Sequence, residues 1–169
     1  MPGRPLNSEH KIFQSQDQLR TQPEKVSRPL VFTNGCFDIL HRGHVDYLEQ
    51  AAQLGATLLV AVNSDESIRA LGKGKDRPIN SLTDRLAVLA ALGFVDLTIG
   101  FSETTPLELI RLCRPDWLVK GGDWPVSEII GADLVQANGG TVHTIPIRYP
   151  YSTSELLTKI RSRKMSPAL

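Results

Sequence analysis

Residues 31–51 read VFTNGCFDILHRGHVDYLEQA, and this stretch decides the fold that the sequence predicts. It begins inside a short apolar run, residues 29–33, which is typical of a buried strand because an Asn-Gly pair ends it at once. It then leads into a helix over residues 44–54, where apolar side chains recur on one face. Two histidines, His41 and His44, flank a glycine at the junction between strand and helix.

The same alternation of strand and helix continues through the rest of the chain. Apolar runs predict further strands over residues 57–62, 95–100, 116–119 and 141–145, and helical patterns lie between several of them. Strands of near-continuous apolar character that alternate with helices indicate a parallel sheet with both faces covered. We therefore expect an α/β fold with a doubly wound parallel five-stranded sheet of the Rossmann-like type.

The predicted domain occupies residues 29–161. Residues 1–28 are polar and contain three prolines, so we treat them as an N-terminal extension in which residues 8–22 allow one short helix. Residues 162–169 form a short basic tail that we expect to be flexible.

Composition narrows the class of protein. The chain has 169 residues and a formal net charge of +1, so no global field draws it to nucleic acid or to a membrane. No apolar run reaches the ~20 residues that span a bilayer, and the N-terminus lacks the apolar core of a signal peptide. Cys36 and Cys113 form no CxxC pair, which argues against a disulfide framework or a zinc site. We expect a cytoplasmic protein.

Polar residues follow most of the predicted strands, and parallel strands end at one edge of a sheet, where ligands bind. The chain has neither a G-x-G-x-x-G loop nor a Walker loop, so other groups must bind the phosphates. Predicted helix N-termini near His44 and Thr153 supply free N–H groups and partial positive charge. Gly43 lacks a Cβ, and we expect a phosphate to lie between the two imidazoles there. A surface loop and a metal-binding histidine pair are the alternatives.

The stretch GCFDILHRGH, residues 35–44, resembles the G-x-[FY]-D-x-x-H-x-G-H signature of the cytidylyltransferase-like nucleotidyltransferases. The adenylyltransferase branch of bacterial ADP-heptose synthesis is similar to this chain in five segments: TNGCFD (33–38), AVNSDES (61–67), DRPIN (76–80), LVKGGDW (118–124) and ANGG (137–140). The resemblance covers about residues 30–161. In many bacteria this domain is fused to a sugar kinase, and since the sequence shows no kinase we expect the stand-alone form of the enzyme. It implies transfer of AMP from ATP to D-glycero-β-D-manno-heptose 1-phosphate, for lipopolysaccharide core biosynthesis.

The resemblance also implies roles for individual residues. A sugar phosphate is mostly dianionic at neutral pH and needs no general base, so the protein aligns the substrates and neutralises charge. We expect His41 and His44 to donate hydrogen bonds to the ATP phosphates, and Lys75 and Arg85 to contact phosphate as further catalytic residues. The remaining predicted substrate contacts are Thr33, Asn34, Gly35, Cys36, Phe37, Asp38, Gly43, Asn63, Asp65, Lys73, Arg77, Lys120, Gly122, Asp123, Ser152, Thr153 and Ser154.

Some of these residues keep a second interpretation. Asp38 either orients a histidine or the neighbouring backbone, or it caps a turn. Asn63 and Asp65 fit either a substrate contact or a helix cap. Gly122 stands where cytidylyltransferases usually carry an acidic residue, which favours adenine over cytosine. Tyr151 departs from the family pattern, which usually has isoleucine at this position.

Cofactors, partners and rival functions complete the prediction. Magnesium is expected on the ATP phosphates rather than on protein ligands, because Mg²⁺ prefers oxygen. The resemblance implies a homodimer, with no nucleic-acid or membrane partner. One rival is a sibling cytidylyltransferase acting on glycerol 3-phosphate or a similar small phosphate, and another is a nucleotide-binding module without chemistry. Aminoacyl-tRNA synthetases share a similar histidine signature, but this chain is too short and too neutral to hold tRNA.

Overall fold

A computed structural model describes residues 8–72, 76–149 and 151–163 of the chain. Its centre is a six-stranded sheet in which every neighbouring pair of strands runs parallel. The strands are β1 (Ile12–Phe13), β2 (Leu30–Gly35), β3 (Thr57–Asn63), β4 (Leu97–Phe101), β5 (Trp117–Gly121) and β6 (Thr141–Ile145). The helices are α1 (Gln16–Thr21), α2 (Arg42–Ala52), α3 (Asp65–Ala70), α4 (Leu82–Ala90), α5 (Leu107–Cys113), α6 (Ala132–Ala137) and α7 (Thr153–Arg163).

The predicted doubly wound parallel sheet is confirmed, but it has six strands where the sequence predicted five. The strand order is β1-β4-β3-β2-β5-β6, and the additional strand is β1, from the N-terminal extension. Ile12 pairs with Thr98 and Phe13 pairs with Ile99 at the edge of the sheet. A strand of two residues is too short to leave a periodic pattern, so the sequence alone could not reveal it.

The helix predicted over residues 8–22 is wrong in its first half. Glu9–Lys11 form a short 3-10 turn, β1 follows, and α1 begins only at Gln16. The segment is held to the domain by its side chains: Lys11 donates a hydrogen bond of 2.7 Å to the carbonyl of Val95, just beyond α4. Among the described residues, no helix is long and apolar enough to cross a membrane.

Apolar side chains on both faces of the sheet explain why its strands are almost continuously hydrophobic. All seven residues of β3 are buried. In β2, Phe32 packs in the core on one face and Val31 in the core on the other, as the alternation of a strand requires. Helices cover each face, and α2 packs Leu48 and Ala51 against the same core as Val31. The sheet is thus the buried layer between two layers of helix.

The two strands at the centre of the site run two residues further than their apolar runs predict. Gly35, at the end of β2, pairs with Val62, and Gly121, at the end of β5, pairs with Ile145. Backbone pairing does not require an apolar side chain, so it extends into polar sequence. As a result the polar residues that end β2 and β5 are fixed by the sheet itself.

We expect Phe13→Ala to lower the free energy of unfolding by about 3 kcal/mol, because it leaves a cavity in the main core. Phe13 is only 2% exposed and belongs to the same core cluster as Phe32. Val88→Ala, at a position 51% exposed, is the control and should change the free energy by less than about 0.5 kcal/mol. Urea denaturation measures both variants. Equal, small effects would mean that β1 is not part of the cooperative fold.

Candidate active site

A cavity of about 530 Å³ lies at the carboxyl ends of β2 and β5, where the N-termini of α2 and α7 meet. The sheet positions its floor, and the two helix ends position its walls. Its lining contains many of the predicted residues: Asn34, Gly35, Cys36, Phe37, Asp38, His41, Gly43, His44, Arg77, Lys120, Ser152, Thr153 and Ser154. The sheet edge therefore brings together residues from both halves of the sequence.

The first turn of α2 holds the two histidines together. The helix begins at Arg42, and His41 is its N-cap: the backbone N–H of His44 donates to the carbonyl of His41 and approaches its Nδ1 at 3.4 Å. The two rings stack, with centroids 3.8 Å apart and planes 20° apart. Phe37, whose φ of 45° lies in the left-handed region, turns its ring edge toward His44 at 5.3 Å. The histidines thus form one rigid pair facing the cavity.

Both histidines lose basicity in this setting. Burial and, to a smaller extent, the neighbouring His41 lower the pKa of His44 to about 4, although a hydrogen bond with the backbone of Ile39 acts in the opposite direction. Burial also lowers the pKa of His41, although the carboxylate of Glu155 raises it. Among the described residues, Nδ1 of His44 is buried and has no hydrogen-bond partner. At neutral pH the pair is therefore uncharged.

Gly43 lines the cavity and also has a packing role that the sequence did not predict. The stacked rings leave no space for a phosphate between them, so that expectation is corrected. A Cβ on Gly43 would lie 3.1 Å from Nδ1 of His41 and 3.1 Å from the carbonyl oxygen of Tyr149. The position favours glycine, because a ring and a second backbone both approach it closely. A phosphate can approach the pair from the cavity side.

Asp38 orients backbone rather than a histidine. Its buried carboxylate accepts hydrogen bonds from the backbone N–H groups of Ile79 and Asn80 and from Nε of Arg77. The amide of Asn80 donates in turn to the carbonyl of Asp38. This network fixes residues 77–80 beside the cavity. Of the predicted basic loop, Arg77 lines the cavity, while Lys73 and Lys75 lie outside the described residues.

Arg85 does not reach the cavity, which corrects its predicted phosphate contact. Its side chain is 1% exposed, and all of its guanidinium nitrogens bind protein groups. Nε donates to the carbonyl of Asn80, Nη1 to the carbonyl of Cys36, and Nη2 to the carboxylate of Asp65. The arginine therefore ties α4 to the end of β2 and to α3. Asp65 is its ion-pair partner, and Ser64 rather than Asp65 caps α3.

A second cavity, of about 290 Å³, adjoins the first. The two share four lining residues, which are Asn34, Gly35, Cys36 and Lys120. Nζ of Lys120 donates to the side-chain oxygen of Asn34 at 3.0 Å, across the boundary between β5 and β2. The rest of the second lining combines polar and apolar side chains: Asn63, Thr104, Thr105 and Glu128 with Leu71, Pro106, Trp124, Ile129 and Ile130.

The opposite wall of the first cavity is the start of α7. Ser152 and Glu155 form a reciprocal cap: the backbone N–H of Glu155 donates to Oγ of Ser152, and the N–H of Ser152 donates to the Glu155 carboxylate. Ser152, Thr153 and Ser154 line the cavity from this helix end. The ring of Tyr151 lies 6.4 Å from the ring of His41, so the aromatic side chain that departs from the family pattern faces the same site.

Three other predicted contacts lie outside both linings. Thr33 is fully buried, and its hydroxyl pairs with the hydroxyl of Tyr47. Gly122 has a φ of 106°, and a Cβ there would lie 3.2 Å from Nε1 of Trp124. Asp123 is exposed. The glycine therefore shapes the turn after β5, and the threonine packs in the core beneath the site.

The lining also includes residues that the sequence interpretation missed. Tyr47 lies three residues after His44 on α2, so helical periodicity places both on one face and could have identified it. Gly121 and Ile147 carried no comparable signal. Among the described residues, no three His, Cys, Asp or Glu side chains are grouped to hold a metal ion. The carboxylate at the cavity, Asp38, already accepts three hydrogen bonds from nearby protein groups.

The chain is similar in sequence to known proteins. A family model described as cytidylyltransferase-like matches residues 32–159. A D-beta-D-heptose 1-phosphate adenylyltransferase from Bordetella bronchiseptica is 60% identical over 81% of this chain and 85% of its own. A bifunctional protein HldE from Pseudomonas savastanoi pv. phaseolicola is 53% identical over 87% of this chain, which spans only 30% of that protein.

Solved structures agree on the fold. A lipopolysaccharide core biosynthesis protein from Thermoplasma volcanium is 32% identical, with a TM-score of 0.57, over 73% of this chain and 98% of its own. A pantothenate synthetase from Thermus thermophilus is only 18% identical, with a TM-score of 0.64, over 92% of this chain and 70% of its own. At that identity the second likeness concerns the fold alone.

We expect Asp38→Asn to lower the free energy of unfolding by about 3 kcal/mol, because it leaves the buried Arg77 without its counter-charge. Asp17→Asn is the matched control. It breaks an ion pair with Arg20, but the side chain of Asp17 is 82% exposed. The control should cost less than about 1 kcal/mol. Urea denaturation compares the two, and equal losses would contradict a buried anchoring role for Asp38.

The buried histidine predicts a specific pH dependence of stability. The pKa of His44 is about 4 in the folded protein and near 6.5 when unfolded, so only the unfolded state takes up this proton between those values. Stability should therefore fall as pH drops from 6.5 to 4, with this histidine contributing on the order of 3 kcal/mol.

His44→Asn should remove that part of the pH dependence. The free energy of unfolding, measured at pH 7, 5.5 and 4.5, should fall less steeply with decreasing pH in the variant than in the parent protein. His143→Asn removes an exposed imidazole and serves as the control. If His44→Asn leaves the slope unchanged between pH 6.5 and 4, the histidine is not held neutral by burial.

Proposed function

Since the chain belongs to the cytidylyltransferase-like family, we propose that it transfers AMP from ATP to D-glycero-β-D-manno-heptose 1-phosphate, giving ADP-heptose and pyrophosphate. The observation that carries this proposal is the stacked pair of His41 and His44 at the N-terminus of α2, facing the start of α7 across one cavity. The curated adenylyltransferase that is 60% identical supports the choice of substrates.

The chemistry follows from charge. An oxygen of the sugar phosphate attacks the α-phosphorus of ATP, the bond from that phosphorus to the bridging oxygen breaks, and pyrophosphate leaves. The attacking phosphate has a pKa of about 6 and is already mostly ionised, so no general base is required. This agrees with a histidine pair held neutral by burial. Catalysis then consists of aligning the reactants and stabilising negative charge.

The chain offers several N–H donors and cations that can stabilise the negative charge on the phosphates. Each neutral imidazole provides one N–H, and Lys120 provides a positive charge at the end of β5. The N-termini of α2 and α7 add backbone N–H groups and the positive ends of two helix dipoles. We propose Arg77, and Lys73 and Lys75 beyond the described residues, as further phosphate contacts. A magnesium ion carried on the ATP phosphates would supply additional neutralisation of the leaving pyrophosphate.

The two adjoining cavities suit the two substrates. The triphosphate fits the cavity of about 530 Å³, because both histidines and both helix ends face it. The sugar phosphate fits the smaller one, where Asn63, Thr104 and Glu128 can bind hydroxyls and Trp124 offers an apolar face. Lys120 lines both cavities, so one cation stands where the two phosphates must meet.

The setting of the reaction follows from the same proposal. A cytoplasmic enzyme supplying ADP-heptose for the lipopolysaccharide core would fit the named relatives. We also propose a homodimer, which rests on the family resemblance alone. Sedimentation velocity on the purified chain would test it, and a monomer at micromolar concentration would rule it out.

We expect pyrophosphate release from ATP only when D-glycero-β-D-manno-heptose 1-phosphate is present. His41→Ala should lower kcat by about 10²–10³, the usual cost of losing one donor to developing charge. His143→Ala, an exposed histidine outside both cavities, should leave kcat unchanged. A coupled pyrophosphate assay measures all three proteins.

Two outcomes would contradict the assignment. Faster release from CTP with glycerol 3-phosphate would make the chain a sibling cytidylyltransferase. ATP binding by calorimetry, without turnover of any sugar phosphate and unaffected by His41→Ala, would make it a nucleotide-binding module.

A further inference from the structure

Arg42 lies between the two histidines, yet the proposed chemistry does not use it. Its side chain is exposed and lies across the ring of Tyr149, with Cζ 3.8 Å from the ring centroid. Nη2 also donates to the Tyr149 hydroxyl at 2.7 Å. The two residues are 107 positions apart in the sequence, so this contact joins α2 to the loop between β6 and α7.

The same loop touches α2 at further points. The carbonyl oxygen of Tyr149 lies close to Gly43, 3.1 Å from where a Cβ would stand, and it also accepts a hydrogen bond of 2.8 Å from the N–H of Tyr151. One turn along the helix, the carboxylate of Asp46 faces Arg148 at 3.9 Å. The loop therefore rests on the first turns of α2 through polar and aromatic contacts.

The described residues of this loop bury little apolar surface. Ile147 and Tyr151 are 55% and 52% exposed, which is far above the exposure of a core residue. A segment with few buried apolar contacts opens easily, so its position depends on contacts such as that of Arg42 with Tyr149. The loop leads directly into Ser152, Thr153 and Ser154, which face the histidines across the cavity.

We propose that Arg42 is a positioning residue that docks the β6–α7 loop on α2 through Tyr149 and thereby sets the distance between the two helix ends that hold the triphosphate. The inference rests on the proposed function for its kinetic consequence, and on the geometry alone for the docking. A displacement of about 1 Å at such a site can lower the rate about 100-fold. Even a small loosening of the contact between Arg42 and Tyr149 should therefore affect turnover.

A double-mutant cycle tests the contact between Arg42 and Tyr149. Arg42→Ala and Tyr149→Ala should each lower kcat/KM by about 10- to 100-fold, with part of the effect in KM for ATP. The double variant should be no worse than either single variant, because both changes break one contact. Arg42→Lys keeps a cation near the ring and should recover part of the loss. Arg111→Ala, an exposed arginine paired with Glu108 on α5, is the control and should retain full activity.

A measurement without substrates separates the docking from the reaction. Amide hydrogen exchange over residues 146–155 should be faster in Arg42→Ala and in Tyr149→Ala than in the parent protein, and unchanged in Arg111→Ala. Unchanged exchange in the first two variants would overturn the proposal. Full multiplication of the two kinetic losses would also overturn it, because Arg42 would then contact the substrate directly. Failure of the parent protein to turn over ATP with the sugar phosphate would refute the proposed function, while exchange would still decide the docking.

Discussion

One constraint underlies the whole site: β2 lies inside a parallel sheet, hydrogen-bonded to β3 on one side and β5 on the other. Parallel pairing brings the carboxyl ends of all three strands to one edge, where Asn34 and Lys120 meet although 86 residues separate them. Because α2 follows β2 after a short turn, its first turn opens onto the same edge. This placement is the reason why His41 and His44 line the cavity at the sheet edge.

Much of the fold could be predicted because its strands are buried on both faces and therefore read as apolar runs. The prediction failed for elements that are too short to show a hydrophobic periodicity. Two residues, Ile12 and Phe13, are too few to show alternation, yet they add a strand because β4 offers an unpaired edge. The short helix α6 was not predicted, since six residues between glycines give less than two turns of periodicity.

The candidate site was predictable where its signal is local and unpredictable where it depends on distant partners. His41, Gly43 and His44 lie within four residues of each other, and their motif identifies them. Arg85 was expected at phosphate, but its partners are a carbonyl at the end of β2 and a carboxylate on α3, which only the folded chain reveals. The network of Asp38 likewise spans about forty residues. Sequence shows which residues carry chemistry, whereas the fold decides which of them are used up in holding the others.

The uncharged histidine pair would couple the binding of an anion in the cavity to the pH of the solvent. Burial holds the pKa of both imidazoles below the ordinary value, and an anion placed against them would raise it again. By linkage, binding such an anion draws protons from the buffer, and affinity rises as pH falls through the pKa of the bound state. The heat of binding then includes the ionisation heat of whatever buffer supplies those protons. A phosphate bound against the two stacked rings would therefore be accompanied by proton uptake.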